Sequence, residues 1–317
     1  MLPEDRPEKS IAVLIPCYNE EATIGKVIRD FRETLPEARI YVFDNNSTDR
    51  TKEIAVSEGA EVIREKRQGK GFVVSSMFDR IIADYYVMVD GDDTYPAEYA
   101  PQMIGLLESG DADMVVANRM ASYLQTKTRP MHNFGNKLVR SLINGLNFVK
   151  IKDPMSGYRA FNYDSVMAMP FLSHGFEIET EMTFQALYRK LVIREIDITY
   201  RDRPAESESK LNTFKDGFRV LFNIVMLLKA YKPITFFGLL SSVFFLAGMG
   251  SGWVVVEEFI KTRFITHVPL AILTGIFFTL GFSLFVTGLI IHTINFRLLE
   301  SSILNAKQMK HLRQRLP

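Results

Sequence analysis

The chain has little cysteine or tryptophan, with one of each, Cys17 and Trp253, in 317 residues. A single cysteine excludes an internal disulfide framework and a zinc site built from cysteines. The formal net charge of +1 gives no reason to expect nucleic acid as a partner. No Gly-x-Gly-x-x-Gly follows the first predicted strand, so a dinucleotide-binding fold is unsupported. The segment Arg67–Phe72 has glycines around Lys70, but it lacks the spacing and the Ser/Thr of a phosphate-binding loop.

Charge is absent from two long stretches near the C-terminal end, Pro233–Val256 and Val268–Ile291. At 1.5 Å per residue, a helix of either length measures roughly 36 Å, which is enough to cross the ~30 Å hydrocarbon layer of a membrane. Two buried helices of a soluble protein are the alternative, but such helices rarely stay uncharged over this length. The spacing of Gly248 and Gly252 allows close helix pairing, and hence a homo-oligomer, without requiring either.

Charged residues around these stretches predict their orientation in a membrane. Lysine and arginine lie on both outer sides, at Lys229, Lys232, Arg297, Lys307, Lys310, Arg313 and Arg315. In the connection Glu257–His267, lysine and arginine are offset by glutamates. The positive-inside bias therefore predicts a multi-pass protein with both termini on the cytoplasmic side. Residues 1–10 are polar and Ile11–Ile15 is too short for a signal peptide, so the N-terminal domain is also expected in the cytoplasm.

Short apolar runs alternate with amphipathic stretches in the N-terminal part of the chain. The predicted strands are Ile11–Ile15, Ile40–Phe43, Glu61–Ile63, Tyr85–Val89 and Met114–Val116. The predicted helices are Thr23–Leu35, Asp49–Glu58, Phe72–Ile82 and Ala97–Leu107. This alternation predicts an α/β domain with a mostly parallel sheet and helices on both faces.

Polar clusters follow three of the predicted strands, at Pro16–Glu20, Asp44–Ser47 and Asp90–Asp92. Ligands of such sheets bind beyond the carboxyl ends of the strands, so the three clusters are expected to meet in one crevice. The two carboxylates that flank Gly91 repel each other unless a cation compensates. A hard divalent cation suits these two carboxylates. Held by only two carboxylates, it keeps open coordination positions that a diphosphate can fill. Gly91 lets such a bulky anion approach the backbone closely. A solvated acidic turn that caps the next helix is the alternative.

Six motifs follow one another along the chain: Ile15–Glu20, Asp44–Asp49, Gly69–Gly71, Asp90–Asp92, Asp153–Arg159 and Ser209–Leu211. In this order they resemble the inverting glycosyltransferases of family 2, which have the GT-A fold. The last two resemble the branch that contains dolichyl-phosphate mannose synthase and bacterial polyprenyl-phosphate glycosyltransferases. The predicted organisation is then a Rossmann-like GT-A domain at 1–212, an amphipathic juxtamembrane helix at 213–232, and a region at 233–317. That last region holds two transmembrane helices, about 233–256 and 268–292, and a basic tail.

For the sugar donor, the resemblance implies nucleotide contacts from Pro16, Tyr18, Glu20, Asp44, Asn46, Lys70, Asp90 and Gly91. Asp90 and Asp92 would hold Mg²⁺ or Mn²⁺ against the diphosphate and neutralise charge as the nucleoside diphosphate leaves. Thr94 stands where the mannose synthases often have glutamine as a further metal contact. For Pro16 and Tyr18, the alternative role is packing.

A phosphate monoester acceptor is already anionic and needs no general base, but cations must hold it beside the diphosphate. The resemblance assigns this task to Arg119, Arg203 and Lys210. These three and Asp92 form the predicted catalytic set. Arg129 and Arg159 are further candidates for the acceptor phosphate, with structural ion pairs as the alternative. Residues 204–209 are predicted to form either a loop that closes over the donor or an ordinary surface connection.

The leading hypothesis is a membrane-bound enzyme that transfers a sugar from a UDP- or GDP-sugar to polyprenyl or dolichyl phosphate with inversion. A processive polysaccharide synthase is weaker, because such enzymes usually have a Gln-x-x-Arg-Trp motif and Trp253 lies within a predicted span. A non-catalytic, membrane-tethered nucleotide-sugar scaffold is a further alternative. Such a scaffold would tolerate loss of the metal carboxylates and of the basic acceptor residues, yet both sets are present. A soluble sugar-nucleotide pyrophosphorylase would have no use for two spans. The sugar, the base and the lipid length stay open.

Overall fold

The computed structural model describes residues 9–120, 140–141, 143–145, 150–171, 173, 175, 177–201, 222 and 225–313. The chain forms two compact units, Met1–Asn223 and Ile224–Pro317. In the first unit the strands are β1 (Ile11–Cys17), β2 (Arg39–Asp44), β3 (Glu61–Arg64), β4 (Tyr85–Met88), β5 (Met114–Asn118), β6 (Arg159–Asn162) and β7 (Ile193–Asp197). Its helices are α1 (Ile24–Thr34), α2 (Thr51–Ser57), α3 (Lys70–Arg80), α4 (Ala100–Glu108), α5 (Tyr163–Ala168) and α6 (Ile178–Tyr188).

The strands form one seven-stranded sheet in the order β3-β2-β1-β4-β6-β5-β7. All of its pairings are parallel except those of β6, which is antiparallel to β4 and β5. The inner strand β1 is apolar on both faces, with Val13 and Ile15 in one core layer and Ala12 and Leu14 in the other. A strand covered on both faces loses the polar alternation of a half-exposed strand, which explains its continuous apolar run.

Helices cover both faces of the sheet. On one face, α1 and α4 bury residues such as Ile28, Phe31 and Met103 against β1 and β4. On the other face, α3 and α6 contribute Met77 and Met182. The mostly parallel sheet with helices on both faces is therefore confirmed, and its parallel strands bring the loops after β1, β2 and β4 to one edge.

The second unit is a helical hairpin formed by α7 (Pro233–Thr262) and α8 (Val268–Arg313). Its apolar segments, Pro233–Thr262 and Val268–Asn305, are long and apolar enough to cross a membrane. At 1.5 Å per residue, α8 is roughly 69 Å long. It continues well beyond residue 292, so the basic tail is helical as far as Arg313. Of the predicted juxtamembrane helix, residues 225–231 are helical, and most of 213–224 lies outside the described residues.

Small residues let α7 and α8 approach closely. A Cβ added to Gly252 would lie 3.1 Å from Cγ2 of Thr274, and one added to Gly248 would lie 3.3 Å from the Phe278 ring. The hydroxyl of Ser241 donates a 2.7 Å hydrogen bond to the carbonyl of Gly281 across the same interface. The spacing of Gly248 and Gly252, which allows close helix pairing, thus serves this intramolecular pair.

Candidate functional site

The candidate site lies at the edge of the sheet where β1, β2 and β4 end. The last residue of β1, Cys17, is paired with Asp44 at the end of β2, and Leu14 is paired with Met88 at the end of β4. The polar loops after these strands are therefore neighbours. This arrangement agrees with the expected crevice at the carboxyl ends of the strands.

The loop after β4 holds its second carboxylate by local hydrogen bonds. Thr94 donates from its hydroxyl to Oδ1 of Asp92 at 2.6 Å and from its N–H at 3.2 Å. The carbonyl of Gly91 accepts a 2.7 Å hydrogen bond from the hydroxyl of Thr23, which ties the loop to the start of α1. A Cβ on Gly91 would lie only 2.7 Å from Sγ of Cys17. Packing against Cys17 therefore favours glycine here, and the approach of an anion to this glycine stays a prediction.

The next residue of this loop, Asp93, ties it to two further segments. Its φ of 57° is left-handed, and its carboxylate lies 2.7 Å from Nζ of Lys26 and 3.2 Å from Nη1 of Arg201. The N–H of Arg201 also donates to the carbonyl of Thr94 at 3.0 Å. Asp93 thus fixes the loop between α1 and the segment that follows β7.

The first carboxylate of the loop, Asp90, is held by a buried lysine. Nζ of Lys70 lies 2.6 Å from Oδ1 of Asp90 and 2.5 Å from Oε1 of Glu179. Burial lowers the pKa of Lys70, but the charges of Asp90 and Glu179 outweigh it and hold that pKa above its usual value. Gly157 leaves the space that the Asp90 carboxylate occupies, since a Cβ at residue 157 would collide with it.

These residues fit a divalent cation. Asp90 and Asp92 offer hard carboxylate oxygens from one loop, and the ammonium of Lys70 is shared between Asp90 and Glu179. Among the described residues, no group of three or more His, Cys, Asp or Glu side chains gathers as a complete metal site. A cation held here would therefore take its other ligands from water or a diphosphate, as Mg²⁺ usually does.

On the nucleotide side, the predicted residues line the loops after β1 and β2. The carboxylate of Asp44 accepts a 3.1 Å hydrogen bond from the N–H of Ser47. Asn46 has a φ of 63° and donates to the carbonyl of Lys66 at 2.9 Å. Glu20 is buried, whereas Tyr18 is 37% exposed and stays accessible to a ligand. Pro16 is half-buried beside β2. Their nucleotide contacts stay predictions.

The basic residues predicted for the acceptor have different environments. Arg119 directly follows β5 and donates to Oδ2 of Asp153 at 2.9 Å and to the carbonyl of Met155 at 3.1 Å. Arg159 is fully buried and donates to the carbonyls of Pro154, Ser156 and Glu179. Burial lowers its pKa to about 10, which leaves it charged at neutral pH.

The contacts of Arg159 are hydrogen bonds to main-chain carbonyls and not the ion pairs predicted as its alternative. They brace the segment after β5 and do not favour a contact with an acceptor phosphate. Arg129, Arg203 and Lys210 lie outside the described residues, so their roles stay predictions.

Known proteins are similar to this chain in sequence and in fold. Residues 12–169 match the family model described as Glycosyl transferase family 2. Glycosyltransferase AglJ from Haloferax volcanii is 32% identical over 282 residues, covering 89% of this chain and 92% of that protein. The chain belongs to glycosyltransferase family 2.

Two further likenesses concern the branch and the fold of this family 2 glycosyltransferase. A dolichyl-phosphate hexose transferase from Haloferax volcanii is 32% identical over 216 residues, covering 68% of this chain and 92% of that protein. Glucosyl-3-phosphoglycerate synthase from Mycobacterium tuberculosis, solved with Mn²⁺, UDP-glucose and glycerol 3-phosphate, matches with a TM-score of 0.58 at 21% identity, covering 70% of this chain and 80% of that one. The GT-A fold and the resemblance to the polyprenyl-phosphate branch are confirmed.

Two residues of the glycosyltransferase site had no predicted role. The buried amide of Asn45 donates to the carbonyls of Glu65 and Arg67 at 3.1 and 2.7 Å and accepts from the N–H of Gly69 at 2.8 Å. Asn45 thereby fixes the loop that leads into Lys70. Glu179 is the other such residue, because its contact with that lysine depends on how α6 packs. The polar cluster after β2 is the signal in the sequence for Asn45. For Glu179, the acidic run Glu177–Glu181 suggests only a place near the sugar and no contact with Lys70.

Proposed function

We propose that this glycosyltransferase moves a sugar from a UDP- or GDP-sugar to polyprenyl or dolichyl phosphate, with inversion at the anomeric carbon. The product is a lipid-linked monosaccharide. The proposal rests above all on one observation: the carboxylates of Asp90 and Asp92 lie at the carboxyl edge of the sheet with Lys70 beside them. The name of the dolichyl-phosphate hexose transferase among its relatives supports the lipid acceptor.

In this proposal, Asp90 and Asp92 hold Mg²⁺ or Mn²⁺. The ion, when bound, neutralises charge on the diphosphate leaving group. Lys70 orients the Asp90 carboxylate. Pro16, Tyr18, Glu20, Asp44, Asn46 and Gly91 surround the nucleotide. The residues that hold the ion are fixed by their neighbours before the donor arrives, which favours reaction by avoiding reorganisation.

The acceptor phosphate carries its own negative charge, so it attacks the anomeric carbon without a side chain that removes a proton. One C–O bond to the diphosphate breaks as a new C–O bond to the acceptor phosphate forms. The protein must instead hold two anions close together, and arginine suits this because its planar guanidinium binds phosphate through paired hydrogen bonds. Arg119, Arg203 and Lys210 are assigned this role, with Arg129 as a further candidate.

We further propose that the two apolar helices, α7 and α8, cross the membrane and leave the catalytic unit in the cytoplasm. Their apolar segments are mostly exposed, unlike the core helices of a soluble protein. An acceptor with a polyprenyl chain resides in the bilayer, so a membrane anchor keeps the enzyme at the surface where the acceptor phosphate lies.

The full chain, purified in detergent with Mn²⁺ and undecaprenyl or dolichyl phosphate, tests the reaction. Radiolabelled UDP- and GDP-sugars are supplied one at a time, and label is counted in the organic phase. We expect label from one donor, its loss with EDTA, and its loss in the Asp92→Asn variant without a change in thermal unfolding. Metal-dependent release of UDP or GDP without lipid label would contradict the proposed acceptor. Near-normal turnover of Asp92→Asn would contradict the metal assignment.

A further inference from the structure

Glu179 lies in the first turn of α6, and its buried carboxylate contacts Lys70, the lysine that also holds Asp90. Only 6% of its side chain is exposed, and Oε1 lies 2.5 Å from Nζ of Lys70. The same ammonium lies 2.6 Å from Oδ1 of Asp90. One lysine is therefore shared between the carboxylate of a proposed metal ligand and a carboxylate from a different element.

A structural ion pair is the simpler explanation for Glu179, because the contact joins the first turns of α3 and α6. That explanation accounts for the link between the helices but not for the second contact of Lys70, with Asp90. A lysine ammonium has three N–H donors and can satisfy both carboxylates at once. The strength of either contact then depends on the other, since both draw on the same charge in a buried site where electrostatic interactions are strong.

We propose that Glu179 is a positioning residue that acts through Lys70 and keeps the Asp90 carboxylate available to a divalent cation. Glu179 draws on the same ammonium as Asp90 and so limits how strongly Lys70 neutralises that carboxylate. Without the charge of Glu179, Lys70 pairs more strongly with Asp90 and competes with the metal ion for its oxygens. The inference rests on the metal assignment in the proposed function.

The geometry of the neighbouring groups supports this division of roles. The main-chain carbonyl of Glu179 accepts a 2.9 Å hydrogen bond from Arg159, which fixes the backbone at this position independently of the side chain. Gly157 leaves space for the carboxylate of Asp90, because a Cβ at residue 157 would collide with it. The side chain of Glu179 is thus free to act on Lys70 while the fold around it is held by other contacts.

Mn²⁺ binding to the purified full chain tests the inference without turnover. The signal of free Mn²⁺ is followed by electron paramagnetic resonance, with the ion alone and with UDP or GDP, against protein-free blanks. We expect Glu179→Gln to raise the dissociation constant about tenfold, and Glu179→Asp to raise it less. The aspartate keeps the charge but withdraws it from Lys70 by one methylene. Glu58→Gln serves as the matched control, because Glu58 pairs with Arg29 on the surface.

A double-mutant cycle decides whether Glu179 acts through Lys70. In a Lys70→Met background, Glu179→Gln is expected to change the dissociation constant by about threefold or less, because the shared ammonium is gone. An equal effect in both backgrounds would overturn the inference, as would Glu179→Gln and Glu179→Asp variants that bind Mn²⁺ normally and lose only thermal stability. Failure of the unsubstituted chain to bind Mn²⁺ under any of these conditions would overturn the metal assignment itself, and the inference with it.

Discussion

At the scale of single residues, Gly91 and Cys17 form a contact that leaves no room for a larger side chain. We predict that Gly91→Ala destabilises the protein by about 1–3 kcal/mol, the usual range for overpacking. The added Cβ would lie 2.7 Å from a sulfur that is itself buried. It should also weaken Mn²⁺ binding, because Asp90 and Asp92 flank the displaced backbone. Thermal unfolding and the Mn²⁺ titration measure the two effects.

The Cys17→Ala background is the control, since it removes the sulfur. If packing is the reason for glycine, Cys17→Ala/Gly91→Ala should recover both stability and Mn²⁺ binding. Recovery of stability alone, with UDP or GDP binding still weak, would instead favour the expectation that glycine lets the diphosphate approach the backbone.

The position of the two metal-binding candidates, Asp90 and Asp92, could be predicted from the sequence, whereas the contacts that hold them could not. Asp90 and Asp92 directly follow an apolar strand, so their place at the edge of the sheet depends only on local pattern. The contact between Lys70 and Glu179 joins residues 109 positions apart by their numbers and depends on helix packing that no local pattern specifies. Arg159 illustrates the same limit, because its sequence motif is equally compatible with a phosphate contact and with the buried brace that its hydrogen bonds describe.

At the scale of elements, the loop between β3 and α3 depends on Asn45. We predict that Asn45→Asp loosens this loop, because a carboxylate loses both N–H donors and faces the carbonyls of Glu65 and Arg67, which repel it. Hydrogen exchange at residues 65–70 should accelerate, and Mn²⁺ binding should weaken as Lys70 shifts. Asn162→Asp is the matched control, since its amide bonds Asp113 at the opposite edge of the sheet. Equal exchange of the 65–70 segment in both variants would contradict the prediction.

The elements themselves could be predicted in part. The five predicted strands and four predicted helices are present, with bounds that differ by a few residues. Strands β6 and β7 were not predicted. The first has four residues and begins with the buried charge of Arg159. The second has three charged residues among its five and lies at the edge of the sheet. Short strands that rely on their neighbours for stability leave only a weak local pattern.

At the scale of the whole molecule, the second unit is the proposed membrane anchor of the enzyme. The hairpin of α7 and α8 is held by direct contacts between small residues and by a 2.8 Å hydrogen bond between the hydroxyls of Thr274 and Ser251. The turn between the helices has few lysines and arginines, whereas both outer ends are rich in them. The positive-inside rule therefore predicts that the turn lies outside the cell and that the ends lie in the cytoplasm.

Cysteine labelling tests this orientation, because Cys17→Ala removes the only native thiol. Phe264→Cys places a thiol in the turn, where the side chain is 68% exposed, and Ser301→Cys places one on the exposed continuation of α8. In right-side-out membrane vesicles, we expect a membrane-impermeant maleimide to label the thiol at position 264 directly. The thiol at position 301 should react only after the vesicles are opened with detergent. The opposite pattern would place the catalytic unit outside the cytoplasm, and labelling of both thiols in sealed vesicles would mean that the hairpin does not cross the membrane.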